Sequence, residues 1–117
     1  MSNELRELRE LVRAFVVERD WDQFHTPKNL AMSLCIEAAE LLEPFQWLAS
    51  GAREELTPKQ LENIRHEMAD ILIYLIRIAD KFEVDLAGAV REKLELNALK
   101  YPATQVRGDA RKYNEYD

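Results

Sequence analysis

Residues 57–82 read TPKQLENIRHEMADILIYLIRIADKF, and this stretch sets the fold class of the chain. Thr57 followed by Pro58 is a typical helix N-cap and first-turn pair, so we predict a helix over about 58–82. Its apolar residues recur at helical intervals and form one stripe. The members of this stripe are Ile64, Ile71, Leu75, Ile78 and Phe82. The stretch therefore predicts a long amphipathic helix that packs through one face.

Similar residues that begin or end helices predict three more helices. The first covers about 3–20, the second about 26–49 with a kink at Pro44, and the fourth about 85–101. Only 3 Gly and 4 Pro occur in the whole chain, and no segment has a clear strand pattern. Short links between long helices are typical of antiparallel bundles, so we predict an all-α, antiparallel four-helix bundle.

Composition restricts the class of protein further. The chain has 117 residues, which fits a single domain over residues 1–102 followed by a polar tail over 103–117 that is either disordered or packed on a neighbouring subunit. The net charge of -6 argues against binding to a nucleic-acid polymer. No apolar run is long enough to cross a membrane, and the single Cys35 has no partner for a disulfide. We expect a cytoplasmic protein.

Two pairs of acidic residues lie beside the apolar stripes of the second and third helices. Glu37-x-x-Glu40 stands in EAAELL, and Glu67-x-x-Asp70 stands in the corresponding EMADIL. If the two helices pack antiparallel through their stripes, four carboxylates converge on one small volume. The alternative is two acidic faces that never meet. No Lys or Arg lies three or four residues from Glu37, Glu40 or Glu67, so ordinary surface ion pairs do not explain the acids.

Converging carboxylates favour a hard cation. An oxygen-only ligand set suits Mg²⁺, with Mn²⁺ as a second choice, and such ions keep positions for water and substrate phosphates. The sequence has no Gly-rich phosphate loop, so the metal would bind the phosphates itself, helped by Lys93 and Lys100. One carboxylate would remain to orient or deprotonate the attacking water.

These residues resemble a known family, the MazG-like all-α nucleoside triphosphate pyrophosphohydrolases, whose mark is Glu-x-x-Glu, a spacer and Glu-x-x-Asp. The similarity is strongest to the dCTP pyrophosphatase branch of the family and extends over about 5–113. It is carried by ERDWDQFH at 18–25, FQW at 45–47, DILIYL at 70–75 and Lys93-x-x-x-Asn97-x-x-Lys100-Tyr101-Pro102.

The resemblance implies a role for each candidate residue. Glu37, Glu40, Glu67 and Asp70 are the implied Mg²⁺ ligands and catalytic residues. The residues implied to surround the nucleotide are Trp21, His25, Trp47, Tyr74, Lys93, Asn97 and Tyr101. Lys100 joins this set because it shares a helix face with Lys93 and Asn97. The alternatives are tryptophans that fill the core, an ordinary polar face on the fourth helix, and a His25 that only caps its connector.

The predicted function is Mg²⁺-dependent cleavage of dCTP, or of a related or modified deoxynucleoside triphosphate, to monophosphate and pyrophosphate. The resemblance further implies a homodimer or a homotetramer. Two alternatives stay open: the same chemistry on a different nucleotide, and a non-catalytic helical interaction module whose acidic edge binds a basic partner.

Overall fold

The computed structural model describes residues 3–111 and 113–115, and all regular structure in that part of the chain is helical. Its α-helices are α1 (Asn3–Glu18), α2 (Pro27–Leu42), α3 (Pro58–Lys81), α4 (Leu86–Lys100) and the one-turn α5 (Ala103–Val106). Short 3₁₀ turns cover Asp22–Phe24, Glu43–Phe45, Arg53–Glu55 and Tyr113–Glu115. The predicted all-α class is confirmed.

Side-chain caps fix the starts of three helices where the sequence predicted them. The Thr26 side chain accepts a hydrogen bond from the Asn29 N–H at the start of α2. Thr57 and Gln60 form a reciprocal capping box at the start of α3. Asp85 accepts from the Gly88 N–H at the start of α4. Each cap satisfies a backbone donor that the first helical turn leaves unpaired.

The predicted extension of α2 to about residue 49 is wrong. Helix α2 ends at Leu42, and Pro44 lies in a 3₁₀ turn instead of kinking a continuous helix. Proline lacks an N–H and its ring collides with the carbonyl four residues earlier, so the α-helical pattern stops. Beyond the turn, the Glu55 carboxylate accepts hydrogen bonds from the N–H groups of Ala49, Ser50 and Gly51, which holds this segment as a loop.

The C-terminal part of the chain contains short helical elements. We predicted a polar tail that is either disordered or packed on a neighbouring subunit, and the structure places α5 and the 3₁₀ turn Tyr113–Glu115 within it. The chain divides into two compact units, one that ends at Val84 and one that begins at Asp85. The predicted domain boundary at 102/103 and the place of α4 in a four-helix bundle stay predictions.

Helix α3 is the centre of the first unit, since both α1 and α2 pack against it. His25, just before α2, contacts Arg77 near the end of α3, whereas Glu37, further along α2, meets Glu67 in the first half of α3. Helices α2 and α3 therefore run antiparallel, as predicted.

The buried apolar core of the described residues is small. Its buried members are Val16, Leu30, Ile76 and Ala79. Many large apolar side chains on the same helices are exposed instead, among them Leu11, Phe15, Met32, Ile36, Met68 and Leu72. None of the described helices has the length and apolar character needed to cross a membrane.

Candidate functional site

Three of the four predicted acidic residues converge where α2 crosses α3. One carboxylate oxygen from each of Glu37, Glu67 and Asp70 lies within 4.8 Å of the other two. Glu40 lies one turn after Glu37 and is not part of this group of three, although its charge acts on Glu37. It lines a separate cavity together with Glu67. The expected convergence is thus found for three acids, and we call Glu37, Glu67 and Asp70 the acidic cluster.

Burying the charged carboxylates of the acidic cluster costs free energy of folding unless a counter-ion is present. Oε2 of Glu37 and Oε2 of Glu67 are buried, and neither has a hydrogen-bond partner among the described residues. The adjacent Glu67 carboxylate raises the pKa of Glu37 to about 8, and burial and the neighbouring Glu40 add to this rise. Either a proton or a cation must therefore compensate the charge. Oxygen ligands of this kind fit a divalent cation such as Mg²⁺.

A cavity of about 410 Å³ adjoins the acidic cluster, because Asp70 belongs to both. Three predicted nucleotide-binding residues line it: Trp21, His25 and Tyr74. Leu11, Val12, Phe15, Val16, Ile73 and Arg77 complete the lining. The Phe15 ring meets Trp21 edge to face, with 5.7 Å between the ring centroids. A pocket of this size, mostly apolar with a few polar groups, is typical of small-molecule sites.

Arg77 is a residue of this cavity that the sequence analysis missed. It is only 5% exposed although it carries a full charge. Its Nη2 donates to Oδ1 of Asp22 at 2.8 Å, and its Nη1 lies 3.5 Å from Oδ2 of Asp80. A signal for it was present, because Arg77 follows Asp70 by seven residues and Tyr74 by three, which places all three on one face of α3.

His25 is fixed by the same arginine. Nε of Arg77 donates to Nδ1 of His25 at 3.3 Å, so Nδ1 is an acceptor and carries no proton. Burial and then the positive charge of Arg77 hold the pKa of His25 below its usual range. His25 therefore does more than cap the connector between α1 and α2, but a positively charged His25 that binds phosphate is disfavoured.

Trp47 lies apart from the other predicted aromatic residues. It follows the 3₁₀ turn Glu43–Phe45, is 87% exposed and does not line the cavity that contains Trp21. Trp21 is itself partly exposed. The alternative that these tryptophans fill the core is wrong for Trp47.

Four predicted site residues belong to the second compact unit. Lys93, Asn97 and Lys100 follow one another at intervals of four and three on α4, so they share a face of that helix. Tyr101 is its C-cap, and the Tyr101 N–H bonds to the Asn97 carbonyl. The prediction that these residues share one helix face is therefore confirmed. Their contact with a nucleotide stays a prediction.

The fold and the site together define a class: an all-helical protein with an acidic cluster suited to a divalent cation, beside a largely apolar pocket. The chain belongs to the MazG-like family, whose model matches residues 32–116. The resemblance seen in the sequence is therefore confirmed.

Several curated proteins and solved structures are similar to the chain. It is 41% identical over 113 residues to dCTP pyrophosphatase 1 of Homo sapiens and 40% identical over 113 residues to dCTP pyrophosphatase 1 of Mus musculus. Each alignment covers 95% of this chain, which spans 66% of the length of these relatives. A crystal structure of a pyrophosphatase from Archaeoglobus fulgidus superposes with a TM-score of 0.79 at 43% identity, over 87% of this chain and 95% of that one.

Proposed function

We propose that the chain is a Mg²⁺-dependent nucleotide pyrophosphohydrolase that cleaves dCTP, or a related or modified deoxynucleoside triphosphate, to monophosphate and pyrophosphate. The observation that carries the proposal is the acidic cluster, which has two buried and unpaired carboxylate oxygens and adjoins a largely apolar pocket through Asp70. The similarity to two proteins named dCTP pyrophosphatase supports the choice of substrate.

Glu37, Glu67 and Asp70 would hold the ion, with Glu40 next to them. A bound divalent cation would supply the positive charge that draws the triphosphate to four acidic side chains and stabilises charge during phosphoryl transfer. Glu40 lies outside the group of three, so it is also a candidate to accept the proton of the attacking water. In the proposed reaction, water attacks the α-phosphorus, the bond to the bridging oxygen breaks, and pyrophosphate leaves.

The nucleotide base would occupy the cavity beside Trp21 and Tyr74. An aromatic side chain can stack on any base, so Trp21 supplies affinity more than selectivity. Asn97 has both a donor and an acceptor and can read a base edge, whereas Lys93 and Lys100 suit the phosphates. We propose that these residues, together with Trp47 and Tyr101, are the remaining residues that bind the nucleotide.

We further propose that the protein works as a homodimer or a homotetramer in the cytoplasm, without a nucleic-acid polymer or a membrane as partner. Leu72 on α3 is 39% exposed, and α1 and α2 also present large apolar side chains to the surface. Exposed apolar surface of this extent is typical of an interface between subunits. Ile76, one turn after Leu72 on α3, is buried within the chain.

The same fold could act on another nucleotide or serve as a non-catalytic interaction module. An acidic surface that binds a basic partner has solvated carboxylates, whereas Glu37 and Glu67 each turn an oxygen inward. This burial favours the enzyme. A different base preference changes only the pocket and leaves the acidic cluster in its role.

A panel of nucleoside triphosphates tests the proposal, with products separated at early times in the presence of Mg²⁺ and of a chelator. We expect monophosphate and pyrophosphate in equal amounts, most rapidly from dCTP and only with the metal. Glu67→Gln should be inactive. Its matched control, Glu54→Gln on an exposed turn, should keep the activity of the parent. Accumulation of diphosphate and orthophosphate would contradict the chemistry, and no turnover of any nucleotide would favour the interaction module.

A further inference from the structure

Arg77 is buried against the cavity, yet its guanidinium nitrogens face protein groups. Nε donates to His25, Nη2 donates to Asp22, and Nη1 lies 3.5 Å from Asp80. Asp22 also accepts from Lys81 at 2.6 Å, and Asp80 accepts from Arg13. With its nitrogens directed at these partners, Arg77 is poorly placed to bind a substrate phosphate. Its position suits a residue that acts through its neighbours.

The hydrogen bond to His25 has a chemical consequence. Because Nδ1 accepts from Arg77, the single proton of the neutral imidazole must be on Nε2. Among the described residues, Nε2 of His25 has no hydrogen-bond partner, and His25 lines the cavity. Nε2–H is therefore the donor that His25 can offer to a ligand.

The residues around His25 indicate whether its Nε2–H meets the base or the triphosphate of the nucleotide. Leu11, Val12, Phe15 and Ile73 make most of the cavity wall apolar, and the carboxylates of Asp22 and Asp80 offset the nearby positive charges. Such a wall suits a flat base better than a triphosphate. A pyrimidine with a carbonyl oxygen at C2, or with an unprotonated N3, offers the acceptor that a neutral Nε2–H requires.

We propose that Arg77 is a positioning residue that holds His25 as the Nε2–H tautomer, so that His25 donates a hydrogen bond to the base of the substrate. This inference rests on the proposed function and deepens it, because it names a group that reads the base. The lowered pKa of His25 agrees with a neutral ring.

The tautomer can be measured directly in the metal-free, ligand-free protein. The chain has 2 His, so long-range ¹H–¹⁵N correlation spectra of histidine-labelled protein at neutral pH are simple, and His66→Gln assigns the signals. We expect one neutral species of His25 with its proton on Nε2. A proton on Nδ1, or a charged ring, overturns the inference, and this readout needs no variant of Arg77.

Arg77→Lys tests the positioning role, because lysine keeps the charge but lacks the planar fork that reaches two partners at once. We expect the variant to lose the single tautomer. Its KM for the preferred nucleotide should rise about three- to tenfold, as for one lost hydrogen bond, with kcat changed less than about twofold. Arg65→Lys, at an exposed ion pair on the same helix, is the matched control and should change neither.

Asp22→Asn tests whether Arg77 positions His25 or only holds the connector between α1 and α2 through Asp22. This substitution weakens the ion pair with Arg77 but leaves the Arg77–His25 bond, so the tautomer should persist. If Asp22→Asn and Arg77→Lys have the same effect, or if Arg77→Lys keeps both tautomer and KM, the inference is wrong. A parent protein that cleaves no nucleotide would instead contradict the proposed function, together with the His25–base contact.

Discussion

Replacing Glu37 by Gln should stabilise the metal-free protein while removing its response to Mg²⁺. Glu37 and Glu67 each have a buried carboxylate oxygen with no partner among the described residues. A glutamine amide at position 37 removes one charge and supplies N–H donors that can reach the Glu67 carboxylate. Relieving an unsatisfied buried group of this kind is worth about 1–3 kcal/mol of unfolding free energy. For a domain of this size, Tm should rise by roughly 4 °C for each kcal/mol.

The gain in unfolding free energy from Glu37→Gln should increase with pH. The pKa of Glu37 rises from an ordinary value of 4.5 to about 8 in the folded protein, with the adjacent Glu67 carboxylate as the largest cause. A group whose pKa is raised on folding contributes stability that is fully present below its unfolded pKa and is lost as pH rises through its folded pKa. The advantage of Glu37→Gln should therefore be small near pH 4.5, grow above it and level off above about pH 8.

Thermal unfolding in a chelator and in excess Mg²⁺, across this pH range, measures both effects. The parent should gain stability from Mg²⁺ by mass action, and Glu37→Gln should gain little. Glu54→Gln, an exposed substitution of the same type, controls for the change in net charge. A Glu37→Gln protein that is less stable than the parent in chelator, or that responds fully to Mg²⁺, would refute the reasoning.

Further predictions concern the ion pairs, the pocket and the assembly. The Arg13 hydrogen bond holds the pKa of Asp80 below its usual value of 3.8, so this pair stabilises the fold fully above about pH 4. Arg13→Gln should cost about 1 kcal/mol in urea unfolding at pH 7, and this cost should shrink progressively as pH falls below about 4. Trp21→Ala should raise Kd by about tenfold or more for all bases, measured by calorimetry, because stacking is worth about 1–3 kcal/mol. Asn97→Ala should lower kcat/KM for dCTP about tenfold more than for dUTP, dTTP or dATP, and an equal loss on all four would mean that Asn97 does not read the base. Leu72→Glu should shift the mass measured by light scattering towards the monomer, and an unchanged mass would place the interface elsewhere.

The helix starts could be predicted from sequence because their causes are local. Thr26 and Thr57 satisfy backbone N–H groups only three residues away, and a proline at the next position favours the first turn. The end of α2 could not be predicted equally well. The Glu55 carboxylate that holds the loop after Pro44 comes from beyond the expected helix, and a periodicity argument does not include it.

For the acidic pairs, too, the local spacing could be predicted from sequence but the tertiary packing could not. Their three-residue spacing alone places Glu37 with Glu40, and Glu67 with Asp70, on single helix faces. Whether the two faces meet depends on how α2 packs on α3, and the packing brings together three carboxylates while Glu40 lies outside this group.

Sequence by itself determined the all-α class, the helix starts, the acidic pairs and the family, because these follow from spacing along the chain. Only the tertiary structure decided that Arg77 is buried and that Trp47 is exposed. A buried arginine needs carboxylates nearby, and Asp22 of the connector supplies one of them, 55 residues away in sequence. Such partners meet only when α3 and the segment before α2 are packed together, so the charge alone could not reveal the role of Arg77.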